Sequence, residues 1–384
     1  MNKKINVYLM FAIVFLQGFI FYGPIATMYR QARGISMYDI FIIESISWIL
    51  MIIFEIPWGW FADKFGYKKT IIISNLIFFI SKIIFFKAYS FEMFLLERVF
   101  LAIALSGLSG CDIALIYSSI DEKKSEKIFG RYSAFSTSGF LIASFLTTFM
   151  ISSPLDKISM DRTSFLTIIP YGLAVIISLF IKDIEINKEE KPKLRKSLRR
   201  VLKNKQIILL VLSVALAREV VQSITVFLNQ AQYIRSGINV RYFGLLLVVA
   251  QIVRLAAAKS YRISDKFGVL KSIKRLYLVI TLSCIFLIFT TNPIFSVVFV
   301  LLISLSMSII EPIFSTIENK SIDTGDRATM LSVYAMIGDV SAAIINPIIG
   351  KAADISVVTS FKVCGVICVL IIILFLLYSR GEKN

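Results

Sequence analysis

Twelve stretches of about 20 mostly apolar residues run along this chain of 384 residues, each long enough to cross a ~30 Å hydrocarbon layer as a helix. They fall at 5–28, 38–61, 70–89, 92–117, 130–152, 163–181, 206–230, 241–260, 273–291, 295–317, 329–349 and 361–379. A water-soluble core of this size would not absorb them. The chain is 57% hydrophobic with 32 Phe, against about 45 to 50% apolar residues in ordinary soluble domains. Its mean hydropathy is +0.79. Lipid is the expected solvent, and a helix, which satisfies its own backbone hydrogen bonds, is the expected element, so the fold class is an all-α membrane protein. The tetrapeptide DKFG at 265–268 echoes the last four residues of GWFADKFG at 59–66, and each copy lies between two apolar runs. A repeat half a chain apart predicts two pseudo-symmetric six-helix bundles, over 1–181 and 206–384, with a polar cytoplasmic linker over 182–205.

Orientation follows from charge. With the N-terminus cytoplasmic, the even-numbered connections and both tails collect most of the 42 Lys and Arg residues, the bias of inner loops, so both termini are expected inside a bacterial cytoplasmic membrane. The net charge of +17 is dispersed over short segments, which reads as attraction to an anionic leaflet and excludes nucleic acid as a partner. Lys193 to Lys203 reads either as a basic amphipathic helix on the membrane surface or as a solvated tether. The first apolar run is too long for a signal peptide and lacks a small-residue cleavage pattern, so it is expected to stay as a span. Cys111, Cys284, Cys364 and Cys368 all fall inside predicted spans without CxxC spacing, and with no His in the chain they read as packing residues. No catalytic motif, no phosphate-cradling loop and no cofactor or metal site is legible, so an enzyme is not expected and any energy must come from a gradient.

Twelve spans, a six-plus-six division and GWFADKFGYKK after the second span resemble the major facilitator superfamily. In that family the loop between spans two and three carries a GxxxDRxGRR-like signature, matched here by Gly59, Asp63, Lys64, Gly66, Lys68 and Lys69. A second copy is reduced to Asp265, Lys266 and Gly268, with Tyr261 where the leading Gly would stand. Physically, the glycines permit a tight turn, Asp63 can cap the next helix, and the lysines can bridge to acids at helix ends. EIPWG at 55–59, SGCDIALIY at 109–117 and RATMLS at 327–332 resemble segments of the drug-efflux-type branch. The fifth span reads SGFLIASFL at 138–146 where many proton-driven drug antiporters carry GxxxGP.

Charge inside a span costs about 2.5 to 3.5 kcal/mol on insertion scales, so each charged residue asks for a partner or a function. The spans hold the acids Glu44, Glu55, Glu97, Asp112, Glu219, Glu311 and Asp339 and the bases Lys82, Arg98, Arg218 and Arg254. After mutual pairing some carboxylate is left to bind a proton or an organic cation. Arg218, Gln222, Thr225, Asn229 and Gln232 follow a helical rhythm on the seventh span, and Ser304, Ser308, Glu311, Ser315 and Glu318 do so on the tenth. Lipid cannot satisfy such stripes, which either line water and substrate or hold helices together. In the family, spans one, four, seven and ten line the central cavity, and the stripes occupy two of these.

The resemblance also implies a proton-coupling Arg in the outer part of span four. Arg98 is the match, with a fixed ion pair to Glu44 or Glu97 as the alternative reading. Asp112 is expected to form a latch with Lys68 or Lys69, Glu55 with Pro57 to play a structural or gating role, and Asp339 to neutralise Arg254 or Arg218. The expected function is a secondary transporter working by alternating access, exporting hydrophobic or amphipathic small molecules in exchange for protons as a monomer in the lipid bilayer. The proton-coupling candidates are Glu44, Arg98, Glu311 and Asp339. The substrate-cavity candidates are Gln17, Phe21, Tyr22, Arg218, Gln222, Asn229, Ser308 and Glu311. The alternatives are another cargo in the same fold, such as a sugar, peptide, metabolite or lipid, and a non-transporting scaffold or sensor.

Overall fold

The computed structural model describes residues 4–120, 125–151, 153, 156–184, 204–320 and 327–381. Among these the secondary structure is entirely helical, and the helices form two compact units. The N-terminal unit comprises Met1–Ile35, Ile46–Glu189 and Val240–Val248, and the C-terminal unit comprises Ser36–Ser45, Glu190–Asn239 and Val249–Asn384. The segment Lys193 to Lys203, read as either a surface helix or a tether, lies outside the described residues.

Among the described residues, twelve principal helices carry the fold. They are α1 (Ile5–Gln17), α2 (Met37–Phe65), α3 (Tyr67–Lys87), α4 (Phe91–Leu108), α5 (Ser125–Met150), α6 (Lys157–Leu179), α7 (Lys205–Gln222), α8 (Phe243–Arg254), α9 (Val269–Phe289), α10 (Pro293–Lys320), α11 (Arg327–Ile355) and α12 (Val357–Gly381). Counting α4 with its continuation Cys111–Tyr117, and α7 with its continuation to Arg235, ten spans among the described residues are long and apolar enough to cross a membrane. The two remaining expected spans are interrupted. At 5–28 the helix stops at Gln17, and the chain resumes through a short turn at Gly23–Ile25 and the helix Ala26–Gln31. Gly18 and the Gly23-Pro24 pair explain the stop, because Pro has no N–H to donate and Gly adds no helix preference. At 241–260 the segment tightens into a 3-10 turn over Leu255–Lys259 before Ser260–Phe267.

The helices begin where capping chemistry permits. At α2 the Ser36 hydroxyl accepts from the Asp39 amide at 3.0 Å while an Asp39 carboxylate oxygen accepts from the Ser36 amide at 3.3 Å, a reciprocal capping box. Asp156 and Asn204 accept from the third residue of α6 and α7 in the same way.

The same packing recurs in each half. In the N-terminal unit α1 packs against α5 and α6, and α3 against α4 and α6. In the C-terminal unit α7 packs against α11 and α12, and α9 against α10 and α12. Six positions on, each partner is the counterpart of the other. The repeated tetrapeptide sits at the same place in both halves. Gly66 (φ 90°, ψ 158°) precedes α3 and Gly268 (φ 81°, ψ 148°) precedes α9, in a backbone region that essentially only Gly enters. Each glycine carbonyl accepts a hydroxyl four residues on, from Thr70 at 2.9 Å and from Ser272 at 2.8 Å. Gly66 is therefore the N-cap of α3, and Asp63 lies in the last turn of α2.

This turn makes a prediction. Gly268→Ala forces a β-carbon into that region and should lower stability by about 1 to 3 kcal/mol. Gly130→Ala, inside α5 with open space around it, should be neutral or mildly stabilising. Thermal unfolding of the purified protein in detergent distinguishes them.

Candidate functional site

The C-terminal unit gathers most of the charged residues expected to matter. α7 passes into a π-helical turn over Ser223–Leu228 and ends with Asn229–Arg235, so the polar stripe is split by a local widening of the helix. Such single turns are frequent at functional sites. On the near side of the turn Arg218 Nε lies 3.4 Å from Glu311 Oε1 on α10, with side-chain exposures of 50% and 39%. A half-exposed pair of this kind is soft. It can open toward a ligand at little cost, because exposed pairs contribute only about 0 to 1 kcal/mol.

Beside this pair the stripe turns inward. Gln222 donates to Glu44 Oε1 at 3.4 Å, a long contact at the edge of hydrogen-bond range, from α7 to the first turns of α2. Glu44 is itself buried. Glu219, one residue from Arg218 and 3% exposed, has Glu44 and Asp339 as electrostatic neighbours and the side chain of Asn346 beside it. Arg254 on α8 donates from Nε to Ser308 Oγ at 3.2 Å. Arg218 thus lies on Glu311 and Arg254 on Ser308. Beyond the π turn the stripe serves packing: Asn229 donates to the Thr225 carbonyl at 2.8 Å, and buried Gln232 donates to Ser296 at 2.9 Å and to the Thr290 carbonyl at 3.0 Å.

In the N-terminal unit the break after α1 is held open by side chains. Phe21 N–H donates to Thr167 Oγ1 at 3.1 Å, and the Phe21 carbonyl accepts from Thr147 at 2.6 Å. The Gln17 carbonyl accepts from Tyr171 at 2.7 Å. Non-helical backbone at membrane depth survives only with such partners. The candidates here divide. The Phe21 side chain is half-buried and continues a run of ring contacts through Phe19 and Phe15 to Phe135. Gln17 is committed to Asn75 at 2.6 Å. Tyr22, 7% exposed, stacks on Phe85 at 4.0 Å and accepts from Lys82 at 3.0 Å, so it is a packing residue rather than a cavity wall. Lys82, 3% exposed, also lies over the rings of Phe78 and Tyr171 at 4.9 and 5.2 Å.

Arg98 and Glu97 lie on α4, where Glu97 is 1% exposed and Arg98 is partly buried. The expected latch takes another form. Asp112 accepts from the Tyr132 hydroxyl at 2.8 Å and from the Ile113 amide at 2.7 Å, and neither Lys68 nor Lys69 is its partner. A hydroxyl on α5 outcompetes the lysines because Gly110, at φ 76°, ends α4 and turns Cys111–Tyr117 onto a new line. Gly59, Asp63 and Lys64 fall in the last two turns of α2, and Lys64 lies over Trp60 at 4.8 Å. Lys68 and Lys69 open α3. Asp265 and Lys266 close Ser260–Phe267, and Asp265 lines a cavity of about 610 Å³ with Asn204, Tyr261 and Lys320. Among the described residues no cluster of acids and thiols is arranged to hold a metal ion. Cys284 and Cys368 approach to 4.0 Å as free buried thiols.

The comparisons match this geometry. The family model of the Major Facilitator Superfamily covers residues 7–346, and the chain belongs to that family. It is a multi-pass membrane protein of a superfamily whose members are transporters rather than enzymes. Solved structures with the same fold include a point mutant of the nucleoside transporter NupG, at TM-score 0.82 and 14% identity over 97% of this chain and 99% of that one. A bacterial homolog of the human lysosomal transporter Spinster matches at TM-score 0.75 and 14% identity over 99% and 98%. A POT family transporter in complex with 5-aminolevulinic acid matches at TM-score 0.74 and 14% identity over 98% and 96%. No curated protein matches the sequence.

The break after α1 is testable. Thr167→Val orphans the Phe21 amide, and loss of a buried partner costs about 1 to 3 kcal/mol, so the variant should unfold at lower temperature in detergent. Ser138→Ala, on the exposed face of α5, should unfold like the parent.

Proposed function

We propose that this transporter is a proton-coupled exporter of amphipathic compounds working by alternating access, with both termini in the cytoplasm and the monomer as its working form. The observation that carries the reading is the acid cluster of the C-terminal unit, where Glu44 and Glu219 are buried in helices that lipid surrounds and Asp339 is their neighbour. Charge in such a place is costly, and a cluster of acids is a means of taking up and releasing protons. Cargo contact is assigned to two chemistries. The ring run from Phe15 to Phe135 supplies apolar area, and the Arg218–Glu311 pair with Gln222 supplies polar groups. Arg98 remains the coupling candidate of the N-terminal half.

Export rests on the resemblance of EIPWG, SGCDIALIY and RATMLS to the efflux-type branch. A second reading, movement of a polar metabolite, is favoured by the half-exposed Arg218–Glu311 pair, which suits a cargo rich in hydrogen-bonding groups. Nucleosides and 5-aminolevulinic acid, named for two fold neighbours, are cargoes of that kind, and at 14% identity they guide the choice of test compounds only.

Expression in a pump-deficient host should lower accumulation of a cationic dye, and a protonophore should abolish the effect. Everted vesicles should show dye uptake driven by an imposed proton gradient. Uptake of nucleosides or amino acids without any dye transport would replace the export reading with the metabolite one.

A further inference from the structure

Three polar atoms without hydrogen-bond partners meet at one buried point of the C-terminal unit. Glu219 Oε1 on α7 has none, and on α11 neither Nδ2 nor Oδ1 of Asn346 has one. Glu219 is 3% exposed and Asn346 0% exposed, and the two side chains are neighbours. An ionised carboxylate is an acceptor only, so it leaves the Asn346 carbonyl oxygen with nothing to bind. A carboxylic acid is different. Its O–H donates to Asn346 Oδ1 while its other oxygen accepts from Asn346 Nδ2, and all three atoms are satisfied by one added proton.

Every element packed around Glu219 contributes to what the proton feels. α2 brings Glu44, α11 brings Asp339 and Asn346, and α12 brings Cys364. On α10 Glu311 is engaged by Arg218, the residue preceding Glu219 on α7. No basic side chain donates to Glu219 among the described residues. The acids expected to do this work are Glu44, Glu311 and Asp339, and the first two have donors, Gln222 for one and Arg218 for the other.

We infer that Glu219 and Asn346 form the exchangeable-proton site of this transporter, an acid–amide pair that joins α7 to α11 by two hydrogen bonds when protonated and by one amide-to-carboxylate bond when the proton leaves. The inference rests on the proton-coupled reading above. The chemistry is one O–H bond: the proton passes to water, the electron pair stays on Glu219, and no other bond changes. Its loss leaves a carboxylate beside Glu44 and Asp339 and the Asn346 carbonyl oxygen without a donor, so the tie between α7 and α11 next to the π turn falls from two bonds to one. A polar tie with two arrangements is the kind of element that can bias a conformational equilibrium.

The test uses the full chain in liposomes with protons as the only ligand, followed by infrared difference spectra across a pH series. The parent should show a protonated-carboxyl C=O band that titrates. Glu219→Gln should remove that band, and Asn346→Leu should keep it while shifting both its frequency and its midpoint. Glu44→Gln and Asp339→Asn should keep it with a displaced midpoint. Retention of the full titrating intensity in Glu219→Gln overturns the site, as does a band that responds to sodium at constant pH. If Glu219→Gln fails to fold, Asn346→Leu decides alone, and an unaltered spectrum overturns the site. A titrating band that Glu219→Gln removes, together with protonophore-insensitive transport, supports the site and rejects the coupling.

Discussion

A polar group inside a lipid bilayer has no water to fall back on, and most of the architecture follows from finding it another partner. Each unsatisfied backbone donor or acceptor at that depth costs several kcal/mol, so the chain is helical wherever it crosses and departs from helix only where side chains intervene. The clearest case is the break after α1, where Thr147, Thr167 and Tyr171 hold the backbone of Gln17 and Phe21. The same rule sorts the charged residues. Those with good partners, such as Lys82 against Tyr22 and its aromatic neighbours, read as fixed parts of a bundle. Those with soft or missing partners, Arg218 with Glu311 and Glu219 with Asn346, are where the proposed cargo contact and proton exchange are placed.

The internal repeat gives this rule a geometry used twice. Gly66 and Gly268 take the same backbone conformation before the third helix of each half, and each carbonyl is closed by a hydroxyl one turn on. Close approach of backbones recurs as well. In the N-terminal unit a side chain at Gly244 of α8 would strike α5 at Ser144, and in the C-terminal unit one at Gly350 of α11 would strike Phe41 of α2. These are counterpart helix pairs, and each places the first part of α8 or α2 in the unit opposite to most of its own sequence half.

Much of this was legible beforehand because lipid imposes a crude and strong pattern. Length and apolarity are enough to find a crossing helix, and the spacing of Arg218 and Gln222 with the position of Glu311 marks the stripes that meet at the ion pair. What escaped depends on partners distant in sequence. Tyr22 reads as a cavity aromatic until Phe85 and Lys82 bury it. Asp112 reads as a latch for lysines until Gly110 breaks the helix and presents it to Tyr132. Glu219 falls beside the polar stripe rather than on it, and spacing alone gives no reason to join it to Asn346, more than a hundred residues away. The π turn was also hidden, since no Pro or Gly in its sequence SITVFL marks it.

The central claim is that the stripes of α7 and α10 meet water while the opposite faces meet acyl chains. Single cysteines placed on a cysteine-free background at Gln222, Thr225 and Ser315, and at the exposed apolar positions Val226, Ile234 and Val298, test it with a membrane-impermeant maleimide in native membranes. Rapid labelling of the first three and protection of the last three is the predicted result. Protection of Gln222→Cys, Thr225→Cys and Ser315→Cys together with labelling of Val226→Cys, Ile234→Cys and Val298→Cys would contradict the account.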